Sequence, residues 1–422
     1  MNRNTVMVIL VLLTFFVISF LTNVLGPLIP EIIDNFNLSL GLAGLLPFSF
    51  FIAYGVMSIP AGILVEKYSE KPILIAAFVL AFAGSLLFAM FPRFSIALLS
   101  LFLIGIGMAM LQVVINPLLR QSGGSSNYAF FSALAQLIFG LASFLSPLLY
   151  TYLVHNVHSG NTSFIISTLN NVVPGNLKWV SLYWVFAAIT LIMIAINWLV
   201  KFPKVELLEE EKITVGHAFK ELLSNKYVIL FFFGLIAYVG TEQGLADWMS
   251  KFLQTYHGID PTTQGANAVA WFWGLMTVGC LLGLILLKIL DSKFVLMVFS
   301  SGAIVTLLAA LLGSRDISLM AFPMMGFFAS IMYPVIFSLA LNSVPKHQGT
   351  FAGILCTGIA GGAFIPLIVG GLADLIGLRY GLFLLFITLG YILSIGIWAK
   401  PIISNATIIE KIRALFQQRQ TK

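Results

Sequence analysis

The sequence predicts an all-α polytopic membrane protein with 12 transmembrane helices in two six-helix bundles related by a pseudo-two-fold axis. Three observations carry this. First, 59% of the 422 residues are hydrophobic and only 9% are charged, with a mean hydropathy of +1.02. A soluble domain carries about 25% charge. This chain has too little charge to cover itself with a water-compatible surface and must be dissolved in lipid along most of its length. Second, twelve apolar runs each supply the ~20 residues that a spanning helix needs. Third, the longest charged stretch falls after the sixth run. Soluble enzymes, nucleic-acid binders and disordered scaffolds are thereby excluded. The net charge of +6 does not point to nucleic acid, because membrane proteins gather Lys and Arg on one side.

The runs lie at 5–33, 41–65, 72–92, 95–119, 128–154, 179–200, 227–255, 265–288, 294–313, 317–343, 350–376 and 380–399. They lack the period-two alternation of lipid-facing strands, which excludes a transmembrane barrel. The first run follows Arg3 directly and is too long for a signal-peptide core, so it counts as the first helix. With the N-terminus inside and twelve alternating helices, seventeen of the 22 Lys and Arg residues fall inside and five outside. That bias obeys the positive-inside rule. It places a multi-pass protein in the cell (plasma or inner) membrane with both termini cytoplasmic.

The charged stretch Lys201 to Lys226 divides the chain. The expected organisation is an N-terminal six-helix bundle over 1–200, a cytoplasmic linker over 201–226, a C-terminal six-helix bundle over 227–399 and a cytoplasmic tail over 400–422. Val205–Leu223 has apolar residues near helical spacing. It is either a helix lying along the membrane surface or a solvated linker. The tail from Ile402 to Lys422 reads as another surface helix. The halves resemble one another. Gly62-Ile-Leu-Val-Glu66-Lys67 returns as Gly283-Leu-Ile-Leu-Leu-Lys288, and Asn116-Pro117 as Tyr333-Pro334. A recurring offset near half the chain suggests parallel repeats about an axis along the membrane normal, with substrate held near the midplane between them. Asn161-Thr162-Ser163, in the longest external loop, fits a glycosylation acceptor or a chance triplet.

Several segments resemble the fucose/galactose/glucose symporters (sugar:cation symporters) of the major facilitator superfamily. They are Pro60-Ala-Gly62-Ile-Leu, Gln112-Val-Val-Ile-Asn116-Pro117, Leu134-Ala-Gln136, Tyr238-Val-Gly240-Thr-Glu242, Tyr333-Pro334-Val-Ile-Phe-Ser338, Gly361-Gly362-Ala-Phe-Ile-Pro366 and Gly371-Leu-Ala-Asp374. The resemblance implies the major facilitator fold and sugar uptake, often driven by protons, sometimes by sodium. One departure stands out. Proton-coupled members of the family use a carboxylate on the first helix and another on the fourth. The matching positions here are Gly26 and Gln112, and neither binds a proton.

Ionisable groups at membrane depth cost ~2.5–3.5 kcal/mol on insertion scales, so they are functional candidates by default. Glu242 and Asp247, both in the seventh run, are the cation-coupling candidates. Glu242 falls in the outer half of the bilayer and Asp247 near the outer rim, within reach of water. Five residues separate them, about 140° around a helix, so they share a small ion only where the helix is broken. Gly240 and Gly244 flank Glu242 and would allow such a break. The alternative is that Glu242 pairs with a backbone group of helix 10 or 11 and locks packing. A lone acid there carries a proton; a sodium site needs several oxygens together.

Sugar recognition asks for planar amides that bond paired hydroxyls, and for aromatic faces, within a mostly apolar site. The mid-depth candidates for substrate binding are Asn23, Gln112, Asn116, Gln136, Gln243 and Asn342, with Trp271, Trp273 and Tyr333 as aromatic partners. Gln112 and Asn116, four apart, share a helix face. Trp271 and Trp273, two apart, do not, so one of them meets lipid. Cys280 and Cys356 lie in apolar runs and read as small core residues. The five histidines sit in loops or at helix ends. No catalytic constellation, metal spacing or phosphate-binding loop appears, so no enzyme activity and no cofactor is expected beyond a coupling H+ or Na+. The expected protein is a secondary active carrier of a monosaccharide or similar small polar solute. It would work by alternating access, as a monomer in the bilayer, without a nucleic-acid partner. An uncoupled uniporter, an exporter of amphipathic solutes and a nontransporting sensor are the alternatives.

Overall fold

The structure, a computed structural model, describes residues 3–123, 128–160, 163–202, 217–344 and 347–402. Twelve helices among the described residues are long and apolar enough to cross a membrane: α1 (Thr5–Phe36), α2 (Leu40–Val65), α3 (Glu70–Met90), α4 (Phe94–Ile115), α5 (Leu134–Asn156), α6 (Lys178–Leu199), α7 (Lys226–His257), α8 (Pro261–Ile289), α9 (Ser292–Leu312), α10 (Arg315–Ser343), α11 (Thr350–Ile376) and α12 (Leu378–Trp398). Their number and order are those expected from hydropathy. The rim holding the start of α1 and the end of α12 is the terminal rim; the opposite one is the distal rim.

The turns follow from local chemistry. Asn37 ends α1 in the left-handed region, with its N–H on the Ile33 carbonyl. Two residues on, the Ser39 side chain accepts from Leu42 N at the start of α2. Asn225 caps the N-terminus of α7 and Gly258, at φ 62°, its C-terminus. Asp291 accepts from the Lys293 and Phe294 amides at the start of α9. Each cap satisfies backbone groups that a helix end leaves open. At the terminal rim the Lys71 ammonium donates to the carbonyls of Trp198 (2.7 Å) and Val200 (2.8 Å), closing the end of α6.

The pseudo-two-fold axis is visible in the packing. Helix α2 packs on α4 as α8 packs on α10; α1 on α5 as α7 on α11; α3 on α6 as α9 on α12. Between helices in lipid, close approach replaces the hydrophobic effect as the source of adhesion. Gly105 shows how: a β-carbon there would overlap the Phe50 carbonyl, so α4 and α2 meet backbone to backbone. Large apolar side chains such as Val305 and Ile387 stay exposed on the outside, as a lipid-facing surface requires.

Several helices are interrupted. The α1 span breaks at Asn23 and Val24, α2 at Gly44, α10 at Ser330 and Ile331 and α12 at Phe383, and α11 contains a 3-10 turn over Thr357–Ala360. The break that Gly240 and Gly244 would allow is absent; α7 is one continuous helix. Those glycines serve packing instead. Gly240 receives Ile365 and the Gly361 carbonyl, and Gly244 receives Leu385. A short helix, His217–Leu223, precedes α7. The rest of the expected surface helix Val205–Leu223, the tail beyond Ile402, and Asn161 and Thr162 of the acceptor triplet lie outside the described residues.

The bundles meet through α5 on α8, α2 on α11 and the distal part of α1 on α7. At the distal rim they are bonded together. The Asp374 carboxylate at the end of α11 accepts from Leu40 N and Gly41 N, both 2.8 Å away. Lys251 of α7 reaches Asp34 of α1 at 3.4 Å. Thr151 of α5 donates to the Thr262 carbonyl at 2.9 Å. The first turn of α8, which presents Thr262, is held by Asp260. Partial burial works against its charge, but hydrogen bonds from Thr262 N, Thr262 Oγ1 and Thr263 Oγ1 keep its carboxyl below the usual range.

Candidate functional site

Helix α7 carries Glu242 sixteen residues past Lys226, about 24 Å along its axis. The carboxyl is half-buried. Tyr238, one turn earlier on the same helix, hydrogen-bonds it. This partner lies on α7 itself rather than on α10 or α11. The Tyr238 ring lies 5.7 Å from that of Tyr333 on α10, and Tyr333 stacks on Phe337 at 5.9 Å. Tyr333 in turn hydrogen-bonds the Cys356 thiol of α11. Cys280 of α8 donates to the Ser330 carbonyl at 3.1 Å, a carbonyl released by the break in α10. Tyr54 faces this group from α2 in the other bundle, close enough to interact with Cys356 and Tyr333.

Five helices from both bundles thus meet around one carboxyl. Tyr333 and Cys356 are exposed despite their depth. Because α2 stands opposite them, their free surfaces look into the space between the bundles. At the distal rim the inter-bundle bonds of Asp374, Lys251 and Thr151 hold the two bundles together.

The other candidates separate. Asn23 is buried, and its amide donates to Ser143 Oγ at 2.8 Å, beside Ser19. It ties α1 to α5, across the break in α1. Gln243 is buried next to Glu242. Gln112 is half-buried on α4; the side chain of Asn116 lies outside the described part. Gln136 is exposed on α5. Asn342 sits at the terminal end of α10, its Nδ2 3.4 Å from Ser338 Oγ and its carbonyl taken by Ile402 N. Trp273 is buried against Phe272, while Trp271 is 55% exposed and packs edge-on to Phe144 of α5. Asp247 corrects an expectation. It is not open to water at the rim but 2% exposed, because α1 covers it.

Reading residues one at a time misses Tyr54, Tyr238 and Cys356. The i, i+4 spacing of Tyr238 and Glu242 is the signal that would find the second. The reading of Cys356 as a core residue is corrected by its exposure; an apolar run also lines a cavity wherever the helix turns inward.

Twelve membrane helices in two related bundles, with polar groups from both converging on a half-buried acid, define a secondary carrier rather than an enzyme. The family model of the Major Facilitator Superfamily matches residues 11–365, and the chain belongs to that superfamily. Within it, the chain falls in the fucose/galactose/glucose symporter group. It is 29% identical to the glucose/galactose transporter of Brucella abortus over 91% of this chain and 92% of that one. It is 24% identical to the L-fucose-proton symporter of Escherichia coli over 86% of each. The crystal structure of the transporter FucP in the outward conformation superposes with a TM-score of 0.65, at 21% identity, over 94% of this chain and 100% of that one.

Proposed function

We propose that the protein takes up a monosaccharide or similar small polar solute across the inner membrane by cation-coupled alternating access, with H+ or Na+ as the coupling ion. The relatives' substrates support the solute class. The coupling reading is carried by Glu242, an acid held by Tyr238 and accessible from the space between the bundles. In this reading the termini and the linker are cytoplasmic and the distal rim is external. The bundles are then 1–200 and 227–399, joined by a linker over 201–226 and followed by a tail over 400–422. The same reading takes the conformation described as closed to the outside. Gln112, Asn116, Gln136, Gln243 and Tyr333 remain the residues proposed to meet the solute, with Tyr54 added from α2. Asn23 and Trp271 are set aside, since their contacts tie α1 and α8 to α5.

The test is uptake of labelled glucose, galactose and fucose by proteoliposomes under an imposed pH or sodium gradient. Uphill uptake with one gradient supports coupling. Flux that only equalises the two sides supports an uncoupled uniporter, which the neutral Gly26 and Gln112 would favour. Gln112→Ala is expected to weaken sugar affinity at least about tenfold, the cost of one well-placed hydrogen bond to a buried polar partner. Calorimetric titration measures it, and an unaltered affinity moves the substrate site away from α4.

A further inference from the structure

Asp247 takes no part in the cluster around Glu242. It lies on the same unbroken helix, turned about 140° away, and it is 2% exposed. One of its carboxylate oxygens is buried without a hydrogen-bond partner among the described residues. Its cover is α1. A β-carbon on Gly26 would fall on the Ala246 carbonyl oxygen and come within 3.4 Å of the Asp247 α-carbon. The acid is therefore sealed by the same α1–α7 contact that closes the distal rim.

None of the charged groups described around this seam is paired with Asp247, including His257 of α7, which faces Arg379 and Arg315 and whose Nε2, like the Arg379 Nε, is buried without a hydrogen-bond partner among the described residues. Lys251, one turn on along α7, is bound to Asp34 of α1 and Gln254. Glu31 of α1 faces Asp34 and Asp260. His155 of α5 faces Asp260. On α11, Asp374 is taken by the Leu40 and Gly41 amides. The Arg379 guanidinium of α12 lies over the Tyr256 ring at 4.6 Å. Among the described residues no counter-charge acts on Asp247. Burying an ionised carboxylate with neither donor nor counter-charge is prohibitive, whereas a neutral acid is tolerated.

We propose that Asp247 is a proton-binding site that licenses closure of the distal rim. With the rim open, the carboxylate meets external water and takes a proton from hydronium: one O–H bond forms on the carboxyl as one breaks in hydronium, which leaves as water. The neutral acid then lets α1 settle with Gly26 against Ala246. Glu242 faces the cavity and Asp247 the seam, so one acid is placed to sense solute and the other to sense the gate. This inference rests on the alternating-access reading above but not on the identity of the solute.

The test reads the gate directly. Cys280 and Cys356 are replaced by Ala, and Phe164→Cys and Leu375→Cys, exposed on the distal side of the two bundles, carry spin labels in lipid nanodiscs. Their separation is measured by electron-spin resonance from about pH 5 to about pH 9. The closed-to-open ratio should fall as pH rises, by up to about tenfold per pH unit once the acid ionises. Asp247→Asn should stay closed across the range. Asp247→Ser, smaller and also neutral, should behave the same way if the Asn variant fails to fold. Glu242→Gln should keep the pH response of the parent. A parent without pH response, or neutral variants that retain it, would overturn the proposal. A response that follows Asp247 in a protein that accumulates no sugar would uphold this site while refuting the sugar-symport reading.

Discussion

Glu242→Gln should abolish accumulation while leaving exchange of solute across the membrane. Glutamine keeps the size of the side chain and an acceptor for the Tyr238 hydroxyl, so the local packing is preserved. What it removes is the ability to bind and release a cation. The effect is large because the driving force is large. One elementary charge moved through about 100 mV is worth ~2.3 kcal/mol, which supports roughly 50-fold accumulation. In the variant the internal-to-external ratio should settle near about one, whichever gradient is imposed. Counterflow of labelled solute, which needs only alternation, should persist. A variant that still accumulates solute would remove Glu242 from the coupling step; one that lost counterflow as well would show a structural role.

Gly26→Val is expected to have the second large effect, through the gate rather than through the ion. The atom that its β-carbon would meet is a backbone carbonyl on α7. No rotamer change relieves that overlap, so α1 must stand off. Overpacking of this kind costs about 1–3 kcal/mol, and it falls only on the state in which α1 and α7 touch. The closed population should drop roughly 5- to 150-fold, and initial uptake should fall by about tenfold or more. Gly26→Ala should be intermediate. Initial-rate uptake measures the first effect, and labelling of a distal-rim thiol by an impermeant reagent measures the second. Normal uptake by Gly26→Val would mean that the rim does not close by this contact. The same overlap bears on the absent first-helix acid: with Ala246 seated there, residue 26 has no room for a carboxylate in the closed state.

Much of the architecture was legible because lipid imposes one rule on every span. Twelve runs of sufficient length became twelve helices, and the caps at Asn37, Asn225 and Asp291 stand where the chain must turn. The site was less legible because depth can be counted along a helix while direction cannot. Asn23 and Gln136 look alike in sequence, two amides within apolar runs. A serine 120 residues away claims the first, and nothing in the neighbourhood of Asn23 announces it. Trp271 and Trp273 had to face differently, but the packing of α5 on α8 decides which turns inward. Asp247 was given the wrong surroundings, because its burial is created by α1, more than 200 residues earlier. The break in α7 that its glycines would allow is absent for a related reason. Glycine permits unwinding, but close approach by α11 employs the same lack of a side chain to hold the helix straight.

The bond between Asp374 and the start of α2 is lopsided in what it demands of heredity. Its acceptor is one side chain, but its donors are main-chain amides of residues 40 and 41. Every amino acid except proline supplies that donor. Mutational drift at residue 40 can therefore leave the fastening intact, whereas Gly41, pressed against the carboxylate, and Asp374 itself bear nearly all of the selective constraint on it.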